Sequence, residues 1–325
     1  MYSMSFSTLL RISRPRFRHY VLWPMLLLFA VSWFLTNRIY IPWLSHDQTM
    51  NVLICRIIAL VIIGGYFTLP ANLWIYGRND IADGDTDIHN AKKGEYENLL
   101  LTNKTSLKIC IIAINILYIF FGALVFTYVD FYYATWNILY TSFRGSVGEY
   151  NRIAYVCLIP FFITSYLYSC PPLRAKALPF IDGIMNILYI ITPFTLILWI
   201  DREFSYMIFS LHHALPIAIA SLCRCMAMHC YSAIPDIDAD RQAWLTTTAV
   251  YLGKQKALIY CGILYLVSAI FSFPTLWWMS IVGGVVYLTM ISISYCYEDI
   301  FWLYKKFPLI NLIIGFSLFR YILLF

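Results

Sequence analysis

Residues 52–87 read VLICRIIALVIIGGYFTLPANLWIYGRNDIADGDTD, an apolar run that ends in a cluster of acidic side chains. A second acidic cluster, DIDAD at 236–240, closes another apolar run later in the chain. Together the two clusters hold seven of the seventeen acidic residues. Carboxylates are costly beside hydrocarbon, and at the C-terminal end of a helix they meet the negative end of its dipole. The two clusters therefore predict a site that binds a cation.

The composition is that of a membrane protein. Of the 325 residues, 61% are hydrophobic and 12% are charged, whereas soluble domains usually carry about 25% charged residues. Apolar stretches of about 17–25 residues are long enough to cross a bilayer. Nine such stretches lie at 20–36, 52–76, 107–128, 153–169, 183–200, 205–231, 256–272, 275–295 and 309–325. The expected fold is an all-α integral membrane protein with about nine transmembrane helices, forming a single domain over residues 1–325.

Lysine and arginine residues are concentrated in the loops on one side of these nine spans. Cytoplasmic loops usually carry this excess of positive charge. The N-terminus and both acidic clusters are therefore expected on the cytoplasmic side of the cell (inner) membrane, with the C-terminus on the far side. This bias also explains the net charge of +6, so no nucleic-acid partner is expected.

The spacing within each cluster favours a metal site. On a helix, Asn79, Asp83 and Asp87 share one face, and Asp236 and Asp240 share another. Two such faces opposed across a cavity would offer oxygen ligands to a hard cation. Mg²⁺ usually binds one or two carboxylates together with substrate phosphates, so the pattern favours a diphosphate carried on Mg²⁺. The alternative is that these acids lie in a solvated loop.

The loop after the fourth span, YSCPPLRAK at 168–176, adds cations to this side of the membrane. Its two prolines end the helix and leave Arg174 and Lys176 at the cytoplasmic rim. There they could bind diphosphate oxygens, Arg174 through two parallel hydrogen bonds and Lys176 as a point charge. The positive-inside rule alone would also place them there, and the same ambiguity applies to Lys92 and Lys93.

These motifs resemble those of a known family. NDIADGDTD at 79–87 resembles the NDxxDxxxD motif of the UbiA superfamily of intramembrane prenyltransferases. DIDAD resembles its second motif, DxxxD, and YSCPPLRAK resembles its connecting loop. SRPRF at 13–17 and LPANLWIYGRNDI at 69–81 are similar to the lycopene elongase branch, which attaches C5 prenyl units to a carotenoid. The resemblance covers nearly the whole chain and implies a nine-helix bundle around a central cavity.

The resemblance also implies an activity and a set of site residues. The expected enzyme is a prenyltransferase that uses Mg²⁺ to move a prenyl group from an allylic diphosphate, with dimethylallyl diphosphate as the expected donor. The expected acceptor is a hydrophobic molecule from the bilayer, such as the carotenoid lycopene. The implied catalytic residues are Tyr168, Asp83 and Asp236, with the ring face of Tyr168 near the allylic cation. The implied metal ligands are Asn79, Asp80, Asp83, Asp87, Asp236 and Asp240. The implied diphosphate-binding residues are Arg174, Lys176, Lys92 and Lys93.

Two other functions compete with this one. Aromatic prenylation of a quinone precursor would use the same chemistry but would need a basic residue for a benzoate-type acceptor. Arg224 and His229, both in the sixth span, keep this alternative open. A metal-ion or proton-coupled transporter would place its carboxylates near the bilayer midplane on broken helices. The acidic clusters instead lie at the ends of spans, which argues against transport.

Overall fold

The computed structural model describes residues 5–17, 26, 46–83, 104–136, 147–188 and 211–324, and within them it contains helices joined by turns and loops, with no strand. The α-helices are α1 (Phe6–Ile12), α2 (His46–Thr68), α3 (Pro70–Asp83), α4 (Lys104–Trp136), α5 (Val147–Ser169), α6 (181–188), α7 (Leu211–Ala233), α8 (Ile237–Gln242), α9 (Thr248–Leu276), α10 (Trp278–Cys296) and α11 (Phe301–Leu324). Short 3₁₀ helices occur at Pro15–Phe17, Ala175–Ala177 and Ile234–Asp236.

Five helical stretches in the described part of the chain are long and apolar enough to cross a membrane. They are Leu60–Asp83, Lys104–Tyr128, Leu215–Gln242, Thr248–Leu276 and Trp278–Cys296, and a shorter apolar helix runs over Leu158–Ser169. The prediction of an all-α integral membrane protein is confirmed. The count of nine spans stays a prediction, because the predicted span 20–36 and most of 183–200 lie outside the described residues. The assignment of residues 1–325 to one domain also stays a prediction.

The span predicted at 52–76 is two helices, since α2 ends at Thr68 and α3 begins at Pro70. Proline has no N–H with which to continue the hydrogen bonds of α2, so it ends the ladder there. The side-chain amide of Asn72 donates instead to the carbonyl of Phe67 at 2.7 Å. The break fixes where α3 begins, and the first acidic cluster starts at the C-terminal end of that helix.

The N-terminal helices pack around α3, which contacts α1, α2, α4 and α5. A small apolar core joins α1, α3 and α4, formed by Leu9, Ile12, Leu73, Leu107 and Ile111. On α4, Ile109, Ile116 and Phe120 are exposed, as expected for a face turned to lipid. Polar side chains also link these helices. The hydroxyl of Tyr66, in α2, donates to Oδ1 of Asn115, in α4, at 2.9 Å. Such hydrogen bonds between helices are typical of membrane proteins.

The C-terminal helices pack around α9, which contacts α7, α8 and α10. Their shared core is larger and includes the buried side chains Tyr231, Leu258, Tyr265, Tyr287 and Phe307. A positive φ of 70° at Gly253 interrupts α9 and separates its first turn from the rest of the helix. Glycine adopts this conformation without the strain that a side chain would add.

The segment from Cys170 to α6 joins the two groups of helices. The backbone N–H of Phe180 donates to the hydroxyl of Thr248, on the first turn of α9, at 2.7 Å. Asp182, in α6, accepts from the backbone N–H of Thr248 at 2.8 Å. This segment also carries the predicted Arg174 and Lys176, so the candidate site lies beside the junction.

Candidate active site

The last turn of α3 carries the first predicted ligands. Asn79 and Asp83 lie four residues apart on one face, and Asp83 is the last residue of the helix. Asp80 and Asp83 are both buried, at 1% and 6% exposure. Buried carboxylates need partners that offset their loss of hydration.

The partners of Asp83 come from the loop that follows α5. This helix ends at Ser169, before Pro171 and Pro172, which cannot continue its hydrogen bonds. Arg174 then adopts a left-handed conformation with φ of 43°, and its N–H donates to the carbonyl of Cys170 at 3.0 Å. The 3₁₀ helix Ala175–Ala177 follows and carries the buried Lys176.

The loop and α3 meet in a compact set of charged contacts. Arg174 Nη2 lies 3.2 Å from Asp83 Oδ1, and Lys176 Nζ contacts the other carboxylate oxygen of Asp83. Lys176 also donates to Asn79 Oδ1 at 3.2 Å. The hydroxyl of Ser169 donates to the same oxygen at 3.1 Å. Residues about 90 positions apart in sequence therefore form one site.

The charge of this site favours an anion. Two cations, Arg174 and Lys176, share the single carboxylate of Asp83. The side chain of Lys176 is 9% exposed and that of Arg174 is 33% exposed, so Arg174 keeps part of its guanidinium accessible. In these two described ion pairs, positive charge exceeds negative charge by one, beside a partly open guanidinium. Such a group binds phosphate oxygens well.

Asp80 belongs to a different contact. Its carboxylate lies 2.7 Å from Arg14 Nη2, and both side chains are largely buried. Arg14 is also in the left-handed region, with φ of 46°, and its guanidinium lies 4.8 Å from the ring centre of Tyr76. The motif SRPRF at 13–17 contains Arg14, but nothing in its sequence indicates a pairing with Asp80. The pair ties the segment after α1 to the acidic end of α3.

The second acidic cluster lies at the junction of α7 and α8. Asp236 ends the 3₁₀ helix Ile234–Asp236, and Asp240 is one turn further on, in α8. The hydroxyl of Thr247 lies 3.4 Å from Asp240 Oδ2, and it also caps the N-terminus of α9. Asp238 has a side chain 92% exposed, so it points away from the protein.

The ability of these residues to hold Mg²⁺ stays a prediction. In the part of the chain that the structure describes, no three His, Cys, Asp or Glu side chains lie together in a metal-binding group. Asn79 and Asp83 offer the hard oxygen ligands that Mg²⁺ prefers, and both already contact Lys176. This donor set fits a cation that arrives with a diphosphate better than a cage made by protein alone. Asp87, Lys92 and Lys93 lie outside the described residues.

A second polar cluster lies next to the first, and of its members Tyr168 and His229 were predicted to be near the site whereas Asp182 was not. Tyr168 immediately precedes Ser169, and its hydroxyl lies 3.4 Å from Nε2 of His229, in α7. The same Nε2 is 3.7 Å from Oδ2 of Asp182, which is 1% exposed. Burial alone would raise the pKa of Asp182, but its interactions with His229 and Thr248 together lower that pKa below its ordinary value. These contacts favour the ionised form of the Asp182 carboxylate.

Arg224, whose partner the sequence did not identify, lies among the C-terminal helices. Its guanidinium donates to the hydroxyl of Tyr287 at 2.8 Å. Tyr287 in turn donates to Asn311 Oδ1 at 2.7 Å, and its ring stacks on Tyr265 with centres 4.3 Å apart. These partners belong to α9, α10 and α11, which places the Arg224 contacts within the C-terminal packing.

The fold and the site define an all-α integral membrane protein with a cluster of cations and acids where α3 meets the loop after α5. Comparisons with known proteins give a closer assignment. The chain is 29% identical to a lycopene elongase/hydratase of Haloarcula japonica over 314 residues, covering 94% of this chain and 88% of that protein. It is 31% identical to a lycopene elongase/hydratase of Halobacterium salinarum over 265 residues, covering 81% and 78%.

A C(50) beta-cyclic carotenoids biosynthesis protein of a Dietzia species is more distant, at 23% identity over 207 residues, 63% of this chain and 41% of that protein. No protein-family model matches the chain, and no solved structure matches it significantly. The chain belongs to the lycopene elongase/hydratase family. This confirms the likeness to the lycopene elongase branch, which SRPRF at 13–17 and LPANLWIYGRNDI at 69–81 indicated.

Proposed function

We propose that the protein transfers a prenyl group from an allylic diphosphate, with dimethylallyl diphosphate as the donor, to a carotenoid such as lycopene within the membrane. Membership of the family supports an enzyme that modifies carotenoids. The observation that carries the proposal is the placement of Arg174 and Lys176 on Asp83 and Asn79. It brings the predicted diphosphate-binding cations onto the predicted metal-binding motif.

The chain's own residues supply most of the donor site. Arg174 binds diphosphate oxygens through its partly exposed guanidinium, and Lys176 adds a second positive charge. Both stabilise negative charge as the diphosphate leaves, which favours breakage of the carbon–oxygen bond. Asn79 and Asp83 would hold Mg²⁺, with Asp236 and Asp240 as candidates from the second cluster. When bound, Mg²⁺ would add positive charge that offsets the charge of the leaving diphosphate.

Tyr168 lies at the edge of this site, one residue from Ser169, which contacts Asn79. The face of a tyrosine ring attracts a cation, so Tyr168 favours the allylic carbocation left by the departing diphosphate. An alkene of the acceptor then attacks that carbocation. Apolar helices suit this chemistry, because they admit a lipid-soluble acceptor and keep water from the cation. By charge distribution, the donor site faces the cytoplasm.

The test is a transfer assay in membranes containing the full-length protein. Radiolabelled dimethylallyl diphosphate and Mg²⁺ are supplied with lycopene in one sample and 4-hydroxybenzoate in another. We expect label on lycopene, and its loss in Asp83→Ala. The matched control is Glu298→Gln, because Glu298 is an exposed acid outside the site. Label on 4-hydroxybenzoate alone would replace the carotenoid acceptor with an aromatic one. Transfer to neither acceptor, from this donor or longer allylic diphosphates, would contradict the proposal.

A further inference from the structure

Asp182 is a buried carboxylate outside both acidic motifs, and the fold holds it in place from several directions. It accepts from the backbone N–H of Gly183 at 2.7 Å and from that of Thr248 at 2.8 Å. The hydroxyl of Thr248 also donates to it. Hydrogen bonds of this kind fix a carboxylate in its ionised form. Its ionisable neighbours among the described residues include His229, whose Nε2 lies 3.7 Å away, and Tyr260.

His229 connects this carboxylate to the proposed donor site. Its Nε2 faces both Asp182, at 3.7 Å, and the hydroxyl of Tyr168, at 3.4 Å. The Tyr168 and His229 rings meet edge to face, with centres 5.8 Å apart. A tyrosine, a histidine and a carboxylate thus follow one another from the edge of the donor site to the junction of the two helix groups. No part of the transfer described above uses His229 or Asp182.

The chemistry of the proposed function requires a group to accept a proton. Once the carbon–oxygen bond breaks, its electron pair leaves with the diphosphate. The π electrons of the acceptor alkene then form the new carbon–carbon bond, which leaves a carbocation on the acceptor. That carbocation ends either by losing a proton from a neighbouring carbon or by capturing water, whose oxygen then carries a surplus proton. Either ending needs a base close to the reacting carbon.

We propose that Tyr168, His229 and Asp182 form a proton relay that ends the transfer reaction; this inference rests on the proposed function. Tyr168 Oη takes the proton from the product cation, or from the captured water, while its own proton passes to His229 Nε2. When the proton comes from carbon, the electron pair of the broken carbon–hydrogen bond forms the new double bond. When the proton comes from the captured water, the electron pair of the broken oxygen–hydrogen bond stays on the oxygen, and the product is an alcohol. Asp182 is the positioning residue, since its negative charge stabilises the imidazolium. Water then removes the proton from His229 and resets the relay.

The competing explanation is that the cluster only joins the two groups of helices. Asp182 does link α6 to α9, so loss of activity in Asp182→Asn alone would not distinguish the two roles. Tyr168→Phe is more informative, because it removes the hydroxyl and keeps the ring that faces the allylic cation. His229→Gln keeps a polar side chain of similar length, and His229→Ala leaves space in which added imidazole can bind.

The experiment uses the full-length protein in membranes with radiolabelled dimethylallyl diphosphate, Mg²⁺ and lycopene. For each variant we would measure diphosphate release, kcat, the KM for the donor, and the products by chromatography and mass spectrometry. Ser268→Ala is the control, because its hydroxyl joins α9 to α7 at the carbonyl of Ala220, outside the cluster.

The relay predicts that Tyr168→Phe and His229→Gln lower kcat by about a hundredfold and leave the donor KM little changed. It also predicts a shift in products, towards a displaced double bond or prenyl alcohol formed by water. Added imidazole should restore part of the turnover of His229→Ala. Asp182→Asn should shift the products in the same direction, and Ser268→Ala should match the unchanged protein.

Two outcomes would overturn the relay while leaving the proposed function intact. In the first, the unchanged protein transfers label to lycopene, and His229→Gln does so with the same rate and products. In the second, the variants lose turnover and thermal stability together, with unchanged products and no rescue by imidazole. If the unchanged protein transfers label to no acceptor, the proposed function itself fails, and the relay fails with it.

Discussion

Lys176 and Arg174 both contact Asp83, but the structure predicts different consequences when each is removed. The side chains of Lys176 and Asp83 are 9% and 8% exposed, whereas that of Arg174 is 33% exposed. Removing one partner of a buried ion pair costs about 3–5 kcal/mol, and an exposed pair contributes about 0–1 kcal/mol. Because Arg174 remains to compensate Asp83, we expect Lys176→Met to lower the free energy of unfolding by about 2–3 kcal/mol. We expect Arg174→Gln to lower it by about 0.5–1 kcal/mol.

The two substitutions should affect donor binding in the opposite order, with the larger effect from Arg174→Gln. Arg174 has the more accessible guanidinium, so Arg174→Gln should raise the KM for the allylic diphosphate by about tenfold or more while the fold is nearly unaffected. Combining Lys176→Met with Asp83→Asn removes both buried charges. The free energy of unfolding of the double variant should therefore be closer to that of the unchanged protein than the value for Lys176→Met alone is.

These values can be measured by unfolding the purified protein in mixed detergent micelles with increasing SDS, and by steady-state kinetics in membranes. Lys108→Met is the matched control, because Lys108 is exposed on α4 and its loss should change the free energy of unfolding by less than about 0.5 kcal/mol. Equal costs for Lys176→Met and Arg174→Gln, or a larger cost for Arg174→Gln, would refute the assignment of the buried contact to Lys176.

Three further predictions concern other parts of the molecule. Asp80→Asn should lower the free energy of unfolding by about 2 kcal/mol, because it removes the largely buried ion pair with Arg14. Thermal denaturation checks this, and an effect that simply adds to that of Arg14→Gln would argue against direct coupling. Removal of Mg²⁺ with EDTA should abolish prenyl transfer and leave the unfolding temperature unchanged, because the proposed metal arrives with the donor; a fall in that temperature would indicate a structural metal instead. Tyr287→Phe should cost about 1–3 kcal/mol in the same denaturation assay, since the hydroxyl joins Arg224 to Asn311. A cost near zero would show that the ring alone holds Arg224.

Local patterns in the sequence predicted much of the site. The four-residue spacing of Asn79 and Asp83 places both on one face of α3, and two consecutive prolines end α5 before Arg174. Both effects act within a few residues, so they can be inferred without knowing the tertiary structure. The family resemblance implied that Lys176 binds diphosphate and that Asn79 binds metal, but their direct contact, between residues 97 positions apart, was not predicted.

Contacts that depend on how helices pack were not predicted. Arg14 and Asp80 are 66 positions apart, and their pairing depends on the placement of the segment after α1 against α3. Asp182 is a single acid before a predicted span and belongs to no repeated pattern. The cost of a carboxylate at a membrane boundary was the one signal that could have identified it. His229 was considered only as a cavity residue, because its partner Asp182 had not been identified.

The left-handed backbone of Arg174 has a consequence for protein engineering. For a residue that has a Cβ, a backbone φ of 43° costs about 1–2 kcal/mol of folding free energy. Glycine would avoid this cost. A redesign that optimises thermostability alone would therefore choose glycine at position 174. It would gain stability in the loop and lose the guanidinium proposed to bind the donor. Screens of this family for robust variants should hold position 174 constant, because selection for heat resistance there would select against turnover.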